Sequence, residues 1–149
     1  MKFRNLMAAA GIAAALATVA APAANAAPAK PADLPPGCQG GPVSDFWFDG
    51  GHQIDPGVGY CTSDGYELVQ QYDGNLVIYS EHGAIWNTGT YGHNGAYTKF
   101  QTDGNLVVYA SPNNPLWNSG TYGHPNARMD FKTGHVFIYD ANGSWVWNS

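Results

Sequence analysis

QYDGNLVIY, residues 71–79, returns thirty positions later as QTDGNLVVY, residues 101–109. In each copy a short polar step, Tyr72-Asp73-Gly74 or Thr102-Asp103-Gly104, leads into a run of Leu, Val, Ile and Tyr. A three-residue hairpin loop needs a residue with positive φ in its last place, and Gly takes that conformation without a Cβ clash. Each copy therefore reads as a hairpin tip, and the loop length sets Gln71 opposite Asn75. Side chains alternate along strands. Gln71, Asn75, Val77 and Tyr79 then share one face, and Leu68, Leu76 and Ile78 take the other. The second copy repeats this, with Gln101, Asn105, Val107 and Tyr109 against Phe100, Leu106 and Val108.

Working outward, the pattern is an internal repeat. A third segment, PNARMDFKTGHVFIYDANGSWVWNS (residues 125–149), keeps the Gly of the loop as Lys132-Thr133-Gly134. Aligned by spacing, Phe131 stands for Gln, Thr133 for Asp, His135 for Asn and Phe137 for Val, and only Tyr139 is retained. Trp86, Trp117 and Trp147 recur at steps of 31 and 30, and WNTGTYGH and WNSGTYGH close the first two repeats. No apolar stripe with helical spacing follows the first 26 residues. Gly, Pro, Asn and Asp interrupt short runs of β-branched and aromatic residues, a strand-and-turn composition. The class is all-β. Each repeat reads as about three strands, YELVQQ (66–71), NLVIYS (75–80) and AIWNTG (84–89) in the first, and residues 46–62 supply an additional strand or two.

The 149-residue chain carries one such domain. Residues 1–26 read as a secretory signal peptide: Lys2 and Arg4, an Ala-rich apolar run, then Ala24-Asn25-Ala26. Thr18 and Pro22 interrupt that run, which argues against a membrane span. Cleavage near Ala26 implies a secreted (extracellular) protein, with residues 27–37 as a Pro/Ala-rich leader and 38–149 as the domain. Loss of Lys2 and Arg4 moves the formal charge from -5 to -7 and leaves Lys30, Lys99, Arg128 and Lys132 as the cations. A surface so poor in cations does not suit nucleic acid or anionic lipid. Cys38 and Cys61, an even count in an exported chain, favour a disulfide. It would add about 3 kcal/mol in the chain-entropy model.

The polar faces suit a neutral polyol. Gln and Asn amides each offer an acceptor and two donors. Asp73 accepts through a charge-assisted bond. Tyr79 adds a hydroxyl, and Val77 an apolar patch for a sugar ring. Asx residues in turns often only bond their own backbone, and that reading competes at any single Asp-Gly-Asn. It weakens when Gln, Asp, Asn, Val and Tyr recur together.

QQYDGNLVIY and QTDGNLVVY resemble the mannose-binding motif of the bulb-type, or monocot mannose-binding, lectins, and the Trp-Asn-Thr/Ser-Gly-Thr ends resemble that family's repeat ends. The likeness covers residues 65–149 and part of the preceding segment. It implies a β-prism II fold, three four-stranded antiparallel sheets with pseudo-threefold symmetry and an inner Trp cluster. It implies mannose sites at Gln71, Asp73, Asn75, Val77 and Tyr79, and at Gln101, Asp103, Asn105, Val107 and Tyr109. The third copy, its ligands changed, is expected to be degenerate. The family's habit of exchanging the C-terminal strand, here Ser144–Ser149, allows a homodimer. The leader suggests a bacterial secreted member.

Enzyme activity is not expected, because Asp73 and Asp103 lie one per repeat rather than as a carboxylate pair across one bond. No cofactor or metal is expected: the five His do not fall at ligand spacing, and His93 and His124 repeat within Tyr-Gly-His as corner residues. The rival function is a protein-binding or inhibitory module on the same fold, with Phe131 and Phe137 as its contact face.

Overall fold

The computed structural model describes residues 38–149, with side chains from residue 43 onward. The signal peptide and leader expected at residues 1–37 lie outside the described residues. Every described element is a strand: β1 Cys38–Val43, β2 Asp45–Asp49, β3 Gln53–Ile54, β4 Gly59–Thr62, β5 Glu67–Gln70, β6 Leu76–Ser80, β7 Gly83–Asn87, β8 Tyr97–Phe100, β9 Leu106–Ala110, β10 Asn114–Asn118, β11 Arg128–Lys132, β12 His135–Tyr139 and β13 Trp145–Asn148. They form three sheets, in the orders β1-β4-β5-β6-β7, β10-β9-β8-β3 and β13-β12-β11-β2. Each repeat contributes three antiparallel strands. The first sheet gains β1, which runs parallel to β4.

The segment before the repeats supplies more than an additional strand or two. Within residues 45–62 it deals β2 to the third sheet, β3 to the second and β4 to the first. Its turns are tied to the sheets they cross: Gly51 donates its N–H to the Phe100 carbonyl at 2.7 Å, and Gly57 to that of Gln70 at 2.7 Å. Each four-stranded set is thus completed by one strand from a single meandering segment.

The inner faces meet in one core. Leu68, Leu76 and Ile78 come from the first sheet, Phe100, Leu106 and Val108 from the second, and Met129, Phe131, Val136 and Ile138 from the third, all buried. Trp86, Trp117 and Trp147 pack on this core as a mutually edge-to-face triad, with ring centroids 5.7, 6.2 and 6.0 Å apart. Such aromatic pairs contribute about 0.5–1.5 kcal/mol each beyond their area. The thirty-residue recurrence of Trp therefore marks the axis on which the sheets converge.

The third hairpin departs from the sequence reading. In the first repeat the last ladder pair is Gln70 with Leu76, and Gln71 then donates its N–H to the Asn75 carbonyl at 2.8 Å across a three-residue loop. In the third repeat Phe131 pairs with Val136 and Lys132 with His135. Only Thr133 and Gly134 remain in the turn, with φ of 48° and 74°. Positive φ at both central residues is the geometry of a two-residue type I′ hairpin. One residue has been lost from the loop, so Lys132, not Phe131, stands where the other repeats have Gln. Phe131 lies in the core; it is not part of an exposed Phe131/Phe137 face.

Candidate functional site

The outer faces of the first and second sheets carry the doubled motif. In the first, β5 and β6 set Val69 opposite Val77 and Glu67 opposite Tyr79. Val69, Val77 and Tyr79 form a small apolar cluster of their own, away from the main core. At the tip, Gln71 Nε2 donates to the Tyr79 hydroxyl at 2.7 Å. Asp73 Oδ1 accepts the Asn75 backbone N–H at 3.0 Å, closing an Asx turn. Gln71, Asp73, Asn75, Val77 and Tyr79 are thereby gathered at one end of one face. The second sheet reproduces the geometry: Gln101 Nε2 donates to the Tyr109 hydroxyl at 2.7 Å, and Asn105 N–H to Asp103 Oδ1 at 3.0 Å. Val107 lies buried between them.

The amide of Asn75 is fixed by residues to which sequence reasoning gave no role. Its Oδ1 accepts the Thr88 hydroxyl and the Thr90 N–H, each at 3.1 Å. Thr90 Oγ1 in turn donates to the Gly74 carbonyl at 2.8 Å. In the second repeat Ser119 and Thr121 do the same, each 3.2 Å from Asn105 Oδ1, with Thr121 Oγ1 donating to the Gly104 carbonyl at 2.7 Å. The recurring Trp-Asn-Thr/Ser-Gly-Thr ends are thus the clamp that aims the Asn side chain. With its carbonyl occupied by the chain, the Asn amide keeps its N–H donors: Asn75 Nδ2 gives one to Asn87 Oδ1 at 3.4 Å, whereas Asn105, 9% exposed, makes no matching bond to Asn118. The corner reading of His93 and His124 matches their contacts: Nδ1 lies 3.1 and 3.0 Å from the Thr90 and Thr121 carbonyls. Their own N–H groups donate to the Asp73 and Asp103 carbonyls at 2.9 and 2.8 Å.

The two faces differ in enclosure. Gln71 and Tyr79 are 3% and 1% exposed, whereas Gln101 and Tyr109 are half-buried. Burial raises the Tyr79 phenol above its usual value, with Asp73 and Glu67 adding to the effect against the opposing Gln71 hydrogen bond. It stays a neutral hydroxyl near pH 7. Gln71 Oε1 is buried with no hydrogen-bond partner. A buried orphan acceptor costs about 1–3 kcal/mol.

The third face is built differently. The register places Lys132 at the Gln position, His135 at the Asn position, Phe137 at the Val position and Tyr139 at the Tyr position. Asp130, buried, replaces Val69 and Lys99 of the other sheets, and Arg128 stands where they have Glu67 and Tyr97. Arg128 grips the carboxylate of Asp130, Nε to Oδ1 at 2.7 Å as an ion pair and Nη2 to Oδ2 at 3.0 Å. Lys132 Nζ lies 3.4 Å from Oδ2, and 5.4 and 5.2 Å from the centroids of Phe137 and Tyr139. Burial lowers the Lys132 pKa, but Tyr139 and Asp130 outweigh it and the net shift is upward, so the ammonium is charged. Among the described residues, no three His, Cys, Asp or Glu side chains come together as a metal site.

No family model matches the chain. It is 40% identical over 65 residues to the mannose-specific lectin of Narcissus pseudonarcissus, a match covering 43% of this chain and 59% of that protein. The chain thus spans less than two thirds of that curated relative's length. Among solved structures, monomeric monocot mannose-binding lectins from Gastrodia elata superpose with a TM-score of 0.61 at 30% identity, covering 69% of this chain and 94% of theirs. The snowdrop (Galanthus nivalis) mannose-specific agglutinin, complexed with methyl-α-D-mannoside, gives a TM-score of 0.51 at 31% identity, covering 69% and 86%. The three-sheet prism with its Trp axis is the β-prism II fold of these lectins, and the chain belongs to the bulb-type, monocot mannose-binding lectin family.

Proposed function

We propose that the chain is a secreted, non-catalytic lectin that binds mannose-containing glycans at two sheet faces, with the third face unfit for mannose. The observation that carries this reading is the identical hydrogen-bond set at two faces: Gln amide to Tyr hydroxyl at 2.7 Å and Asn N–H to Asp Oδ1 at 3.0 Å. In both, the Asn carbonyl is held by a hydroxyl and a backbone N–H. A sugar would take the Asn N–H, the second oxygen of Asp73 or Asp103, and the Gln carbonyl; the second face is the more open to it, since Gln71, Asn75, Val77 and Tyr79 are almost wholly buried. Val77 or Val107 lies against ring carbons. Tyr109, having accepted from Gln101, keeps its own proton to donate. The solved complex of the snowdrop agglutinin with methyl-α-D-mannoside supports a mannoside as the ligand. On the third face Lys132 and Phe137 remove the Gln and Val functions, and Thr133 removes the carboxylate.

Secretion and a bacterial origin belong to this reading and rest on residues 1–26. The Cys38–Cys61 bridge belongs to it too: β1 lies beside β4, and Cys61 is not a free thiol. A homodimer formed by strand exchange would replace contacts the single chain already makes, since β13 pairs with its own β12 and Trp147 completes the triad.

A few largely neutral hydrogen bonds of about 0.5–1.5 kcal/mol each, set against association entropy, give a monosaccharide dissociation constant near ~1 mM, with multivalency supplying avidity. Calorimetric titration with methyl-α-D-mannoside tests the function. Asn75→Asp plus Asn105→Asp keeps the clamp's acceptor but exchanges the N–H donor for a second carboxylate beside Asp73 or Asp103. Loss of binding in the double variant supports the assignment; unchanged binding overturns it.

A further inference from the structure

Residues 38–149 contain three Lys or Arg side chains, Lys99, Arg128 and Lys132, and two of them lie on the outer face of the third sheet. They flank the buried Asp130 on one strand, where the first repeat has Glu67 and Gln71 on either side of Val69. Asp130 neutralises one of the two. Lys132 spends little of its donor capacity on it, at 3.4 Å, and Arg128 gives it one of its five N–H groups as a hydrogen bond, Nη2 to Oδ2, with Nε beside Oδ1 as an ion pair. The sheet registers bring aromatic rings to the same face. Trp47 is opposite Asp130, Phe137 follows across the next strand, and Tyr139 faces Trp145 on the far edge. Trp47 and Trp145 are 60% and 64% exposed, uncommon for residues that fold mainly by burial. Three strand spacings of about 4.8 Å put these edges roughly 14 Å apart. Phe137 and Tyr139, stacked at 6.2 Å, fill the middle. A concavity of about 510 Å³ opens beside them, lined by Arg128, Lys132 and Tyr139 together with Asp49 and Asp140.

We propose that this face is a separate site for an acidic saccharide chain, a uronate-containing oligosaccharide, whose rings stack on Trp47, Phe137–Tyr139 and Trp145 and whose carboxylate is taken by Lys132 and Arg128. Pyranose rings offer flat C–H faces to aromatic side chains and hydroxyls to carboxylates. Asp49 and Asp140 in the lining, with Asp45 opposite Lys132 in register, accept such hydroxyls. The same carboxylates repel a continuous polyanion, which selects a chain carrying spaced charges over a phosphate polymer. The width exceeds one sugar ring, so the site reads an oligomer where the other two faces hold a monosaccharide. It does not depend on the mannose sites.

The test is calorimetric titration of the mature chain carrying Asn75→Asp and Asn105→Asp, with an α-1,4-linked galacturonate tetramer and the neutral galactose tetramer of the same linkage. The uronate tetramer is expected to bind at least tenfold tighter than the neutral one, and more weakly as salt rises. Lys132→Met is expected to cost at least fivefold, with Lys132→Arg restoring most of it. Trp47→Ala and Trp145→Ala should each cost severalfold, and Lys99→Met nothing. Unaltered melting temperatures confirm that each variant is folded. Absence of uronate binding, equal affinity for the neutral tetramer, or indifference to Lys132→Met overturns the proposal.

Discussion

The Thr121→Val substitution isolates the clamp behind the second sugar face. Thr121 is buried and does not belong to the Gln-Asp-Asn-Val-Tyr set. Its hydroxyl donates to the Gly104 carbonyl at 2.7 Å and lies 2.7 Å from Ser119 Oγ. Its backbone N–H holds Asn105 Oδ1 at 3.2 Å. Valine keeps the branched shape and removes only the hydroxyl. A net hydrogen bond is worth about 0.5–1.5 kcal/mol, and a buried carbonyl left without its donor costs about 1–3 kcal/mol. The expected loss of stability is about 2 kcal/mol. At about 4 °C or more per kcal/mol for a domain of this size, thermal unfolding should fall by roughly 8 °C. The Asn105 carbonyl keeps the backbone N–H of position 121 and Ser119 Oγ, but both supports lose the hydroxyl that ties them to Gly104 and to each other, so methyl-α-D-mannoside affinity at the second face should fall a few-fold. Differential scanning calorimetry and mannoside titration read the two effects on one sample. A variant that melts within about 2 °C of the parent and binds mannoside equally well would refute the clamp.

Two further outcomes follow from local geometry. Gly104→Ala places a Cβ 2.6 Å from the His124 carbonyl oxygen at a φ of +87°; strain and overlap together should cost more than about 2 kcal/mol, seen as a lowered urea midpoint. His52 stacks on Phe48 with centroids 4.3 Å apart and meets the Tyr60 hydroxyl at 2.9 Å, and burial lowers its pKa from 6.5. Its folded pKa lies below the unfolded one, so its contribution is complete above about pH 6.5 and is lost as pH falls through the folded value. The melting temperature should therefore drop between pH 7.5 and 5, and drop less in His52→Gln.

The first two sheets were legible because their Asp-Gly-Asn tips fix loop length, and loop length fixes which residues share a face. The third was misread because Phe131 and Tyr139 keep the eight-residue spacing of Gln71 and Tyr79 while the hairpin drops a loop residue. The local alternation carried the correct answer. In Arg128-Met129-Asp130-Phe131-Lys132 the apolar residues are Met129 and Phe131, and a half-buried strand turns those inward. Period-2 patterning was therefore better evidence of register than repeat spacing. The Thr and Ser of the repeat ends were visible but had no readable role, because their partners, Asn75 and Asn105, lie 13 to 16 residues back and meet them only across the folded hairpins. The meander through β2, β3 and β4 was undercounted because β3 is two residues long, too short for any periodicity.

The central claim is that mannosides are held at the tips of two sheets and not the third. Amide chemical-shift mapping with methyl-α-D-mannoside tests it most directly, since Gly74, Gly104 and Gly134 mark the three tips. The account predicts saturable shifts at Gly104 and Gly74, with Gly104 moving at lower ligand because Gln101 and Tyr109 are more open than Gln71 and Tyr79, and no shift at Gly134. Shifts centred on Gly134, or none at either of the other tips, would contradict it.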